Sequence, residues 1–115
     1  GLGLMIGVEF GAPKSLKLRA SWSMIEAANK GLFCQLITIP LFKQHKILTQ
    51  VAGHGSHTVK LLPPYLITDE DCAWIENGFD QVIGESHKVP GAIWSLGKTL
   101  IENAMAAKRA QNASA

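Results

Sequence analysis

Thr58-Val-Lys-Leu-Leu-Pro-Pro-Tyr-Leu-Ile-Thr68 decides how this chain is read. Thr58 to Leu62 is β-branched or apolar apart from one lysine, the pattern of a buried strand. Pro63 and Pro64 stop it. Neither can donate a ladder hydrogen bond, and Leu62, standing before a proline, is held to extended backbone. After a short extended Tyr65-Leu66-Ile67, Thr68 opens a helix as its N-cap, with Asp69, Glu70 and Asp71 at the positive end of the helix dipole. The Thr-x-x-Asp spacing is a capping-box variant. The stretch therefore reads as strand, rigid corner and capped helix, with Lys60 the only charge in the strand.

Working outward, Leu4, Ile6, Val8 and Phe10 alternate with Met5, Gly7 and Glu9, which predicts a first strand ended by Gly11-Ala-Pro13. From about Lys17 the period changes. Leu18, Trp22, Ile25 and Ala28 form one stripe of a helix that Ser15 or Ser21 could cap and Gly31 could terminate. Leu32 to Leu41 is a near-continuous apolar run whose Thr and Ile content predicts a buried strand, broken at Pro40. Phe42 to Lys46 reads as a polar turn and Ile47 to Val51 as a shorter strand. The Ala52-Gly-His-Gly-Ser-His57 link is tight enough to make its neighbours pair antiparallel.

The helix opened by Thr68 carries Cys72, Ile75, Phe79, Val82 and Ile83 on one face, and His87 and Lys88 suit its end. Pro90 suits the first turn of a last helix with a stripe of Ile93, Gly97, Leu100 and Ala104. Residues 1–110 form one domain in this reading, and 111–115 a disordered tail. The order β-α-β-β-β-α-α predicts an α+β domain, a small antiparallel or mixed sheet with helices on one face. If Val59 and Leu61 meet the helices, Lys60 stands on the face that no predicted helix covers.

Composition excludes several classes. The 115 residues suffice for one core, and 47% hydrophobic with 17% charged residues is ordinary globular usage. A net charge of +2, spread over scattered basic residues, implies neither a nucleic-acid nor a membrane partner. Cys34 and Cys72 sit in apolar or amphipathic runs and read as buried free thiols, in a reducing cytoplasmic setting. The apolar start has no basic leader and is too short to span a bilayer. It begins within a strand and lacks an initiator methionine, so the chain reads as a piece cut from a longer protein.

Few residues carry chemistry. His45, His54 and His57 cluster in sequence, but no further ligand stands at a zinc-like spacing, so they read as solvated turn histidines. No serine occupies a Gly-x-Ser-x-Gly elbow. The glycines of Gly1-Leu-Gly-Leu-Met-Ile-Gly7 run into a strand rather than a helix, which excludes a dinucleotide loop. Lys60 differs. A cation among valines and leucines either lays its stem on the sheet with its ammonium in water, or faces a ligand carboxylate.

The strand, Pro-Pro corner and acidic-headed helix resemble the C-terminal small domain of the class III, ornithine aminotransferase-like, pyridoxal-phosphate-dependent aminotransferases. Gly1 to Phe10 looks like that family's first small-domain strand, and Ala27-Ala-Asn-Lys-Gly-Leu32 like its helix end before the next strand. The resemblance covers roughly residues 1–86. It departs at one position, where Lys60 stands in place of the family's carboxylate-binding arginine. The resemblance implies a fold type I enzyme moving an amino group from an amine or amino acid to a 2-oxo acid. Pyridoxal 5'-phosphate and its lysine would lie in a large domain, with this part closing the cleft and Lys60 binding substrate. It implies a homodimer or larger assembly, and a 115-residue piece inactive alone. The competing expectation is a stand-alone α+β binding or interaction module without catalysis.

Overall fold

The computed structural model describes residues 1–88 and 91–114. The elements run β1 (Ile6–Glu9), α1 (Leu16–Ala28), α2 (Leu32–His45), β2 (Gln50–Val51), β3 (Thr58–Leu61), α3 (Asp69–Ser86) and α4 (Ala92–Ala113). β3 is central in an antiparallel sheet of order β1-β3-β2. Gly7 and Gln50 both stand opposite Lys60, from the two sides. The α+β class is the one expected, but its order is β-α-α-β-β-α-α.

The difference lies in Leu32–Leu41, which is helix and not strand. Its buried residues are Leu32, Phe33, Cys34, Leu36, Ile37, Pro40 and Leu41, adjacent pairs recurring every four residues. That spacing faces one side of a helix. A 14-residue helix between α1, α3, α4 and the sheet buries more than a short strand could, which overrides the β preference of Thr38 and Ile39. Pro40 lies inside the helix, where it withholds one backbone donor without ending it. Phe42–His45, expected as a turn, completes its last turn, and the strand expected from Ile47 shrinks to Gln50–Val51. Ile47 is instead buried in the core.

The other elements follow their sequence signals more closely, although β1 shortens to Ile6–Glu9 and Leu4 and Ile6 of its alternating run are exposed. Ser15, not Ser21, occupies the N-cap position of α1. Gly31 links α1 to α2 at φ +83°, and a Cβ there would lie 2.9 Å from the Ser56 carbonyl oxygen. The position therefore requires glycine on two counts. Thr68 and Asp71 form the expected capping box: the Asp71 N–H donates to Thr68 Oγ1, and the Thr68 N–H donates to the Asp71 carboxylate. The Thr68 N–H first, and the Thr68 side chain after it, hold the Asp71 carboxyl below the usual carboxylate range. α4 continues through Ala113, so Gln111–Ala113 are helical and not a disordered tail. Pro90 and Ala115 lie outside the described residues. Of the cysteines, Cys34 is buried as expected, but Cys72 is exposed, and both are free thiols.

The core joins Ile25 of α1, Leu36, Ile37 and Leu41 of α2, Val59 and Leu61 of β3, Val82 of α3 and Ile93 of α4. Gly97 lets α4 approach α1 and α2. A Cβ there would meet Ile25 Cδ1 at 2.9 Å and Leu36 Cδ1 at 3.1 Å. No helix among the described residues is long and apolar enough to cross a membrane.

Candidate functional site

Strand alternation places Lys60 where the sequence argument expects it. Val59 is fully buried and Leu61 nearly so, both facing the helices, whereas Lys60 is only partly buried and Leu62 is 54% exposed. Among the described residues Lys60 forms no ion pair. Its neighbours explain why it has room. Gly7 on one side carries no side chain, and Gln50 on the other offers an uncharged amide. Lys60, Gln50, Thr49, Leu48 and Leu62 line a cavity of about 260 Å³. Thr49 has a buried hydroxyl without a hydrogen-bond partner among the described residues.

A larger concavity of about 440 Å³ adjoins it, and the two share Leu48 and Leu62 as walls. Its floor is made by Ile47, Leu61, Pro63, Ile67, Trp74 and Ile75. The Pro-Pro corner opens this groove by turning the chain away from the sheet before α3 begins. The Trp74 indole N–H donates to the His45 carbonyl at 2.8 Å, fixing that ring beside the groove. Lys46 and Asp71 stand on its rim. A lone cation next to an apolar groove can hold an anion whose remaining surface is apolar.

A second constellation lies on the helical side of the sheet. The Glu26 carboxylate accepts hydrogen bonds from Gly31 N–H at 2.9 Å and Phe33 N–H at 3.2 Å, and lies 2.6 Å from His57 Nε2. A carboxylate can only accept, so this geometry assigns the hydrogen to Nε2. Burial pushes the Glu26 carboxyl up. The bonds from Gly31, His57 and Phe33 outweigh it, and the net shift is downward. Glu26 thus satisfies free backbone donors at the start of α2 and ties them to the residue entering β3. Trp22 stacks at a tilt on His57, with ring centroids 5.6 Å apart.

His57 is therefore a half-buried, bonded histidine, not the solvated turn residue expected. His45 lies at the end of α2 and His54 is exposed in the link before β3. Among the described residues no group of three His, Cys, Asp or Glu side chains is placed to share a metal. Burial, with Glu26 nearby, pushes the Cys34 thiol up to about 11, which leaves it protonated and unreactive near neutral pH.

The sequence argument found Lys60 and missed Gln50, Gly7 and Glu26. Gln50 and Gly7 became neighbours of Lys60 only through strand register. Comparison with protein-family models, curated proteins and solved structures returns no match for this chain.

Proposed function

We propose that this chain is the substrate-closing small domain of a pyridoxal-phosphate-dependent aminotransferase, one that moves an amino group from an amine or amino acid to a 2-oxo acid. Lys60 is its carboxylate anchor. The observation that carries this reading is a lysine on the central strand without an ionic partner among the described residues, on the face away from the helices, with a glycine and a glutamine as cross-strand neighbours. An ammonium is a compact point charge with rotatable donors, so it holds a carboxylate less selectively than an arginine fork does. The anchor then tolerates several acceptors.

The residues around Lys60 do not fit the cofactor itself. Among the described residues the cavity is lined by no carboxylate for a pyridinium nitrogen and no glycine-rich helix start for a phosphate. In this reading the cofactor and its lysine belong to another domain of the enzyme, whose active site is completed between subunits of a homodimer.

The test is the acceptor dependence of transamination by the enzyme carrying this chain. Lys60→Met keeps the stem and deletes the charge. It should raise the apparent KM for the 2-oxo acid by about ten- to a hundredfold, the worth of one charge-assisted hydrogen bond. Lys60→Arg should bind the acceptor as well or better. An unchanged KM in Lys60→Met, or no transamination by the enzyme under any condition, overturns the reading.

A further inference from the structure

We infer that the ligand of this site is a carboxylate with an apolar tail, its carboxylate at Lys60 and its tail laid over Leu62 into the adjoining groove. This rests on the reading of Lys60 as a carboxylate anchor and adds what lies beyond the carboxylate. The first observation is continuity: the cavity at Lys60 and the groove of about 440 Å³ share the walls Leu48 and Leu62. A volume of that size is in the range of small-molecule sites.

The second observation is the surface left in water. Leu48 is 78% exposed, Leu62 54% and Trp74 59%, all bordering one groove. Covering such a contiguous patch is favourable in proportion to the apolar area removed from water.

The third observation is charge. The other two ionic groups at the groove, Lys46 and Asp71, carry opposite charges that offset each other, and each is held by a backbone hydrogen bond. The Lys46 ammonium donates to the Lys43 carbonyl at 3.0 Å, and an Asp71 carboxylate oxygen accepts from the Thr68 N–H at 3.0 Å. Lys60 has no hydrogen-bonded or ionic partner among the described residues, so the unmatched charge at this surface is positive. An amphipathic anion matches both halves. An amphipathic cation would meet Lys60 as a like charge, and a short carboxylate would leave the groove unfilled.

The experiment is a titration of the isotopically labelled chain with octanoate, butyrate and octanol, each below its aggregation threshold. The backbone signals of Leu48 and Leu62 and the Trp74 indole N–H are followed by NMR. Octanoate should bind about tenfold or more tightly than butyrate, since even partial covering of its additional methylenes gives that factor. It should also bind about tenfold more tightly than octanol, which cannot make a charge-assisted bond. Lys60→Met should abolish the preference for octanoate over octanol. Leu62→Ser and Trp74→Ala should each abolish the preference over butyrate, with the Val59 amide signal unmoved as a check on the fold. Equal binding of butyrate and octanoate overturns the tail site while leaving Lys60 as an anchor. Equal binding of octanol and octanoate overturns the carboxylate itself. Signals that move only with protein concentration also overturn it, by assigning the groove to a second copy of the chain.

Discussion

Val59 and Lys60 are consecutive residues with opposite surroundings. Val59 is fully buried against the helical layer, while Lys60 is only partly buried, between Gly7 and Gln50. Leu61 and Leu62 repeat the contrast, at 7% and 54% exposed. The period of two that builds a strand divides labour between its faces. One face fixes the fold, and the other can change its chemistry without disturbing it.

The largest expected effect tests that division directly. Leu61→Ala and Leu62→Ala delete the same atoms from adjacent positions. Leu61→Ala should cost about 2–4 kcal/mol, the transfer and cavity cost of a buried leucine. Leu62→Ala should stay within about 0.5 kcal/mol of the parent, as surface changes do. Urea unfolding of the two variants measures both. Equal losses would show that the outer face belongs to the core.

A smaller effect belongs to the polar clip that ties the helical layer to the start of β3. Glu26 is 9% exposed at its side chain and serves Gly31, Phe33 and His57 together. Glu26→Gln keeps the shape, but its amide nitrogen cannot accept, so one backbone N–H loses its partner and the remaining bonds become neutral, at a cost of about 1–3 kcal/mol. The pH dependence follows from direction alone. The folded carboxyl titrates below its ordinary value of 4.5, so the unfolded chain takes up the proton first as pH falls. The stabilisation is full above about pH 4.5 and is lost as pH drops through the lower folded value. Urea midpoints from pH 7 down to 3 should therefore fall for the parent and fall less for Glu26→Gln. Parallel curves would remove Glu26 from the acid response.

What was legible in the sequence is local. The Thr68 cap, its carboxylate-headed helix, the Pro-Pro corner and the alternation of β3 are set by neighbours within a few positions. Helix α2 is hidden in the sequence because Thr38, Ile39 and Pro40 speak locally for a strand. The pairing of buried positions every four residues from Leu32 to Leu41 speaks for a helix only when the whole run is counted. Glu26 and His57 lie 31 residues apart, and no spacing rule joins them. The helix turn and the extended link that bring them together must both exist first. The same holds for Gly7 and Gln50 beside Lys60, which no reading confined to β3 could supply.

The smallest expected effect is on the stability of the variant that matters most for function. Lys60→Met should leave the unfolding free energy within about 0.5 kcal/mol of the parent. Lys60 has no ionic partner among the described residues to lose, and the methionine stem covers the strand as the lysine stem does. Its cross-strand neighbours, Gly7 and Gln50, carry no charge that the ammonium must balance. A loss above about 1 kcal/mol would mean that Lys60 is retained for the sheet itself, by packing or by a bond in the folded state. The outer face would then share the task of the inner one, and the reason for assigning this lysine to a ligand would be gone. A neutral result joined to a loss of carboxylate binding would separate the two faces completely, because the same substitution would leave the fold intact and empty the site.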